Sequence, residues 1–408
     1  MYRKIFIFKI VFLISLLITT SCGIDDDGQV PITNDQFLVS YTKANTILKS
    51  NSQMLFTALL GSEFPVQATY DVSVYKISYR TSFKDKDIVA SGVVCLPAGQ
   101  SGNKAFPILS FQNGTNTLHS EAPSVFLENP SFIVIQAIAS MGYAVVIPDY
   151  IGFGSSSNHF HPYLDKASTV KSITDMYGAV MEMADKYLEI PVGKDLFLMG
   201  YSQGAWASVA LAEAIENNPA SKVNLKGTAV GGGAYNLSTL VEDILGEETY
   251  PSPALLAYMI NSYIKSGIVS ITYRDVFNAP FADQIQGLYN GKRKIADINN
   301  LLSEDLVTLF SQEFRSGYKT EQKYESFKNA LVLNSIQSWK MKSPVFIRHG
   351  NTDETVPVTQ SLGLRNDFLQ KQVPEAQINY KIYPTENHST AVEPFAKEAM
   401  VWLLSLKP

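Results

Sequence analysis

From residue 72 onward, short apolar runs and longer amphipathic stretches take turns along the chain. Residues 72–79 and 88–96 are rich in β-branched side chains and are separated by a polar turn at 84–87, which predicts an antiparallel hairpin. Residues 107–112, 143–148, 195–199 and 226–231 are then nearly continuous apolar runs of strand length, and stretches of helical character fall between them near 132–141, 168–188 and 204–217. Strands that are apolar on both faces, joined by crossovers of a dozen or more residues, predict a parallel sheet with helices on both sides. The alternation stops at Gly231, Gly232 and Gly233. Residues 237–341 carry helical stretches at 254–264, 281–289, 301–310 and 324–332 without a convincing buried strand, so a helical insertion is expected there. Strand 344–349, helix 359–369, strand 377–383 and helix 394–404 resume the first pattern. The chain thus divides into a first core segment, 45–236, the insertion, 237–341, and a second core segment, 342–408.

The N-terminal residues follow a different rule. Arg3 and Lys4 precede an apolar run over 5–18, interrupted by Lys9 and Ser15, and Thr19, Thr20 and Ser21 lead into Cys22. That is the pattern of an export signal; a membrane span needs about 20 uninterrupted apolar residues. A cysteine directly after small residues resembles the lipobox of bacterial lipoproteins, with Thr19 where that motif usually has Leu. The resemblance implies a signal peptide over 1–21, acylation of Cys22, and attachment to the outer membrane on its periplasmic or cell-surface side. Residues 22–44, with Asp25, Asp26 and Asp27, read as a tether.

Composition removes several classes of function. The 408 residues are 46% hydrophobic and 17% charged, which describes a folded globular chain. Net charge is −5, and loss of residues 1–21 would remove three of the 33 basic residues and none of the 38 acidic ones, giving −8. Neither value offers a footprint for nucleic acid. Cys95, the only other cysteine, sits mid-strand, so no intrachain disulfide is expected and the thiol reads as a small buried hydrophobe. Neither paired metal-ligand spacings nor a phosphate loop occurs, so no metal or cofactor is expected.

The most specific local signal is Gly200-Tyr201-Ser202-Gln203-Gly204, which fits G-x-S-x-G between an expected strand and an expected helix. Small residues two positions either side of a serine let strand and helix approach while the hydroxyl is presented at a tight turn, so Ser202 is the candidate nucleophile. A serine needs a base to take its proton and an acid to orient that base. Of the five histidines, His388 lies in the loop between the last strand and last helix, from which a base can reach the carboxyl end of a parallel sheet. His349, at the end of the preceding strand, reads as packed, and His119, His159 and His161 lie before Ser202. Asp353, in a loop leaving that strand, is the candidate acid, with Glu354 as the alternative. The order Ser202, Asp353, His388 is one known for hydrolases of this layout.

Two backbone N–H groups aimed at a developing oxyanion complete such a site. Gln203 at the helix start supplies the first. The second is assigned to Thr115 in the loop after strand 107–112, with Gly114 and Asn113 as alternatives. Asp149, at a strand end before Gly152 and Gly154, is expected to hold its loop through backbone hydrogen bonds.

With these motifs in place, the chain from residue 72 to its end resembles the α/β-hydrolase superfamily. Gln112-Asn113-Gly114-Thr115, Pro148-Asp149-Tyr150, His161-Pro162-Tyr163-Leu164 and the Ser202 motif resemble the secretory lipases within it. The resemblance implies an α/β-hydrolase fold, a mostly parallel sheet flanked by helices with a helical lid before the acid-bearing strand. It also implies a Ser202–Asp353–His388 triad that cleaves lipid-like or small-molecule carboxylic esters without a cofactor. Asn113, where a histidine is frequent, and bulky Trp206 in the elbow helix depart from the pattern. Two other readings stay open: an exopeptidase or amidase on the same scaffold, and a surface binding lipoprotein with an idle triad.

Overall fold

The computed structural model describes residues 32–61, 67–98 and 105–407. The signal segment 1–21 and Cys22 lie outside the described residues. Nine strands form one sheet in the order β1-β2-β3-β5-β4-β6-β7-β8-β9. They are β1 (Leu38–Ile47), β2 (Asp71–Phe83), β3 (Lys86–Ala98), β4 (Phe106–Gln112), β5 (Ala144–Pro148), β6 (Val192–Tyr201), β7 (Asn224–Gly231), β8 (Val345–Gly350) and β9 (Ile378–Tyr383). Strands β1, β2 and β3 pair antiparallel, and β3 joins β5 antiparallel. From β5 to β9 every pairing is parallel. The expected hairpin is therefore present, and the nearly all-apolar strands are the parallel ones.

Alternate residues of a strand face opposite sides of the sheet, and the two cores divide accordingly. Leu196 and Leu198 of β6 join one cluster, Phe197 and Met199 the other. On the first side lie α3 (Lys166–Lys186) and α4 (Gln203–Asn217); on the second lie α1 (Lys49–Leu60) and α2 (Pro130–Ala137), together with the last helix. Cys95 is fully buried on β3 between Val74 and Val145, and burial pushes its thiol well up. It is the small apolar residue its position implied.

Between β7 and β8 run α5 (Leu237–Gly246), α6 (Pro253–Ser266), α7 (Phe281–Leu288) and α8 (Glu325–Asn334), with shorter turns among them. Helices α9 (Thr359–Gln370) and α10 (Val392–Ser405) follow β8 and β9. The helical block packs directly on the first core. Trp206 of α4 is completely buried, and its indole Nε1 donates to Asn334 O at 3.0 Å. The bulky residue that departed from the family pattern thus joins the sheet layer to the block. The Tyr163 ring stacks on Tyr258 of α6 at 4.5 Å, which stacks on Tyr289 at 4.4 Å.

Three elements differ from the sequence reading. Residues 38–44, which the sequence reads as tether, lie in β1. That strand has no clear apolar alternation because it is a half-exposed edge; tertiary contacts seat it instead. Glu182 accepts the N–H groups of Phe37 and Leu38 at 2.9 and 2.7 Å, and the Arg80 guanidinium donates to the carbonyls of Thr33, Asp35 and Leu38. Of the helix expected over 301–310 the structure forms only the short Leu306–Leu309, because the Asp305 side chain caps a start there by accepting from Val307 N and Thr308 N; another short helix, Ile295–Asn299, precedes it. Helix α5 was not anticipated, although Asn236, which accepts from Ser238 N and Thr239 N, is its cap signal.

Replacing Trp206 with Ala is expected to destabilise the protein by roughly 3–5 kcal/mol, read as a lower denaturant midpoint. A midpoint unchanged from the native protein would show that the block does not depend on this contact.

Candidate active site

The site grows from one turn. Strand β6 ends at Tyr201 and α4 begins at Gln203, which leaves Ser202 alone to reverse the chain with φ 56° and ψ −122°. A non-glycine residue in that region is strained and persists when its surroundings hold it. Here the holding contact is close packing of backbones: a Cβ on Gly204 would lie 1.9 Å from Gln112 O. Ser202 N–H donates to Gly231 O at 2.9 Å, which ties the turn to β7.

The candidate acid and base arrive on two neighbouring loops at the same sheet edge. Asp353 follows β8 and His388 follows β9, and these loops touch at Gly350, where a Cβ would lie 2.2 Å from Glu386 O. His388 Nδ1 lies 2.7 Å from Asp353 Oδ2, and His388 Nε2 lies 2.9 Å from Ser202 Oγ. The carboxylate is an acceptor, so Nδ1 carries the ring proton and Nε2 accepts from the serine hydroxyl. Tyr201 adds a support that the sequence did not reveal: its hydroxyl donates to His388 O at 2.8 Å.

Asp353 has no side-chain exposure. Its Oδ1 accepts from Thr355 N at 2.9 Å and Val356 N at 2.8 Å. Burial pushes its carboxyl up, but hydrogen bonds from His349 and His388 outweigh that and hold it at about 2. His349, expected to be packed, is indeed fully buried, and it contacts the acid. Glu354, the alternative acid, is exposed.

Gln203 is buried, and its side-chain Nε2 meets His161 Nε2 at 2.9 Å. His161 Nδ1 lies 2.7 Å from Ile151 O, while burial pushes this imidazole down to about 4, so the neutral ring donates from Nδ1 and accepts at Nε2. Thr115 sits in the loop after β4, where its hydroxyl pairs with Tyr163 OH at 2.8 Å. Asn113, the departure from the family pattern, is buried; its carbonyl accepts from Tyr150 OH at 3.1 Å. Asp149 is buried and accepts from Ser91 and from the Ser124 hydroxyl and N–H, so the structure joins it to β3 and to the segment before α2 where the sequence reading expected the backbone of its own loop.

A cavity of about 30 Å³ opens beside Ser202 and Gln203, walled by Leu240, Ile244, Leu255 and Met259 of the helical block. A larger one, about 670 Å³, lies between α3 and α4 and includes none of Ser202, Asp353 or His388. The hydrogen-bonded trio, and not cavity size, marks the candidate site. Among the described residues no cluster of histidine, cysteine and acidic side chains is arranged to hold a metal, and no helix is long and apolar enough to cross a membrane.

Comparison with known proteins agrees with this architecture. The family model for secretory lipases matches residues 119–405. Lipase 6 of Candida albicans is 25% identical over 274 residues, 64% of this chain and 55% of that protein, so the match spans about half its length. Lipase 7 of the same organism is 23% identical over 365 residues, 83% of this chain and 76% of the other. Among solved structures, the rice cell wall degrading esterase LipA of Xanthomonas oryzae superposes with a TM-score of 0.78 at 23% identity, covering 91% of this chain and 99% of its own. That likeness bears on the fold.

The depressed carboxyl sets a pH dependence. Because its folded value lies below the ordinary 3.8, Asp353 contributes stability in full above about pH 4 and loses it as pH falls through about 2. The stability gap between native protein and Asp353→Asn, measured by denaturant titration, is expected to narrow over that window; a constant gap would contradict it.

Proposed function

The chain belongs to the secretory lipase family, and on that premise we propose that it is a carboxylic ester hydrolase that works through an acyl-enzyme. Ser202 Oγ attacks the ester carbonyl while His388 Nε2 takes its proton, and the proton then passes to the departing alcohol. Asp353 fixes the His388 tautomer and stabilises the imidazolium that forms. The backbone N–H groups of Gln203 and Thr115 stabilise the tetrahedral oxyanion. A water molecule, activated by His388, then attacks the acyl-enzyme and releases the acid. No cofactor enters the scheme.

The observation that carries this reading is the continuous chain from Ser202 through His388 to Asp353, at 2.9 and 2.7 Å, beneath a strained turn that exposes the hydroxyl. Residues 237–341 act as a lid over the acyl side, for which the apolar walls at Leu240, Ile244 and Met259 are the support. The substrate is a lipid-like or small-molecule ester. Export follows the family's secretory character, and acylation at Cys22 would hold the enzyme at a membrane.

Ser202→Ala is expected to lower kcat on p-nitrophenyl esters by about a thousandfold or more, with loss of labelling by a fluorophosphonate. Retention of half the activity would sink the assignment. Comparing acetate, octanoate and palmitate esters with p-nitroanilides separates esterase, lipase and amidase, and an ester rate below the anilide rate would move the reading to amide cleavage.

A further inference from the structure

The carboxylate of Asp353 serves two histidines. Its Oδ2 faces His388 Nδ1 at 2.7 Å and, from the other side, His349 Nε2 at 3.1 Å. His349 Nε2 also lies 2.9 Å from Val356 O, and its Nδ1 lies 2.7 Å from Ser361 Oγ on α9. Two acceptors at Nε2 require that atom to carry the proton, since a bare nitrogen there would face a carboxylate and a carbonyl with nothing to offer either. With Nε2 committed as donor, Nδ1 is left to the Ser361 hydroxyl, which can donate to it.

We infer that His349 is a positioning residue, which clamps Asp353 Oδ2 from the rigid end of β8 so that the carboxylate keeps its aim at His388 through turnover. This rests on the reading of Ser202, Asp353 and His388 as a triad. Oδ1 is held by the N–H groups of Thr355 and Val356, both on the acid's own loop. Without His349, Oδ2 would be held by His388 alone, the group that changes charge during each cycle and sits on a loop. His349 differs on both counts: it is fully buried and belongs to a strand hydrogen-bonded to β7 and β9.

The remaining titratable neighbours leave this balance to the two histidines. Tyr201 on the elbow strand and Tyr250 in the helical block both lie near the carboxylate as phenols pushed up by burial, so they stay uncharged. Glu354 beside it on the loop is exposed. Removing the His349 donor leaves more negative charge on Oδ2, which favours the protonated form of His388 and so moves the acid limb of activity to higher pH.

The test compares the pH dependence of kcat/KM on a p-nitrophenyl ester for the native enzyme, His349→Leu and His349→Gln, each checked for fold by circular dichroism. Leu removes the donor; Gln can restore one from its amide. His349→Leu is expected to lose about tenfold in kcat with KM little changed, and its acid limb to rise by about half a pH unit, while His349→Gln returns the limb toward its native place. A limb that stays fixed in a folded His349→Leu overturns the inference. Should the Leu variant not fold, ¹⁵N-histidine NMR of the native protein decides: a proton on His349 Nε2 with Nδ1 bare supports the clamp, and the opposite tautomer overturns it. Failure of the native enzyme to be labelled by a fluorophosphonate would instead remove the triad reading, an outcome separate from both.

Discussion

Everything at this site depends on the turn at Ser202, where one residue carries the chain from the end of β6 into α4 with a backbone conformation that L-residues seldom adopt. Such strain survives only if the surroundings leave no alternative, and they do so by bringing backbones into contact where a side chain would not fit. The absence of a Cβ at Gly204 lets the helix start lie against Gln112 O. That same contact brings the β4 loop, with Asn113 and Thr115, beside the helix N-terminus, where free N–H groups collect. The strain, the nucleophile's exposure and the candidate oxyanion donors therefore share one cause.

The second constraint is the burial of a charge. A carboxylate without solvent is costly unless every lone pair finds a donor, and Asp353 meets that demand with two loop amides and two imidazoles. The arrangement holds the group ionised and directs it. It also explains why β8 and β9 end in loops that touch at Gly350: acid and base must approach within a hydrogen bond, and any side chain at that crossing would separate them.

Polar and aromatic contacts join the helical block to this frame alongside a shared apolar core. Trp206 donates into the end of α8, Tyr263 OH donates to Leu164 O at 3.1 Å, and the stacked rings of Tyr163, Tyr258 and Tyr289 run from the core into the block. Tyr163 and Leu164 line the cavity beside Ser202 together with Leu240, Ile244 and Met259. Helices α5 and α6 supply apolar walls to that cavity, and α6 also carries Tyr258 and Tyr263 of the joints.

The alternation of apolar strands and helical stretches determined the parallel sheet and the hairpin before it, because those patterns follow from local periodicity and burial on two faces. The elbow was legible for a related reason: G-x-S-x-G is a local demand of backbone geometry. The edge strand β1 was not, since its half-exposed residues lack a period and Glu182 and Arg80, far along the chain, hold it in place. The sequence could nominate Ser202, Asp353 and His388 by their order and loops. Only the tertiary structure decided that His388 lies between the other two, that Tyr201 anchors its loop, and that His349 shares the acid. These are matters of distance between residues as many as 186 positions apart, which no local pattern encodes.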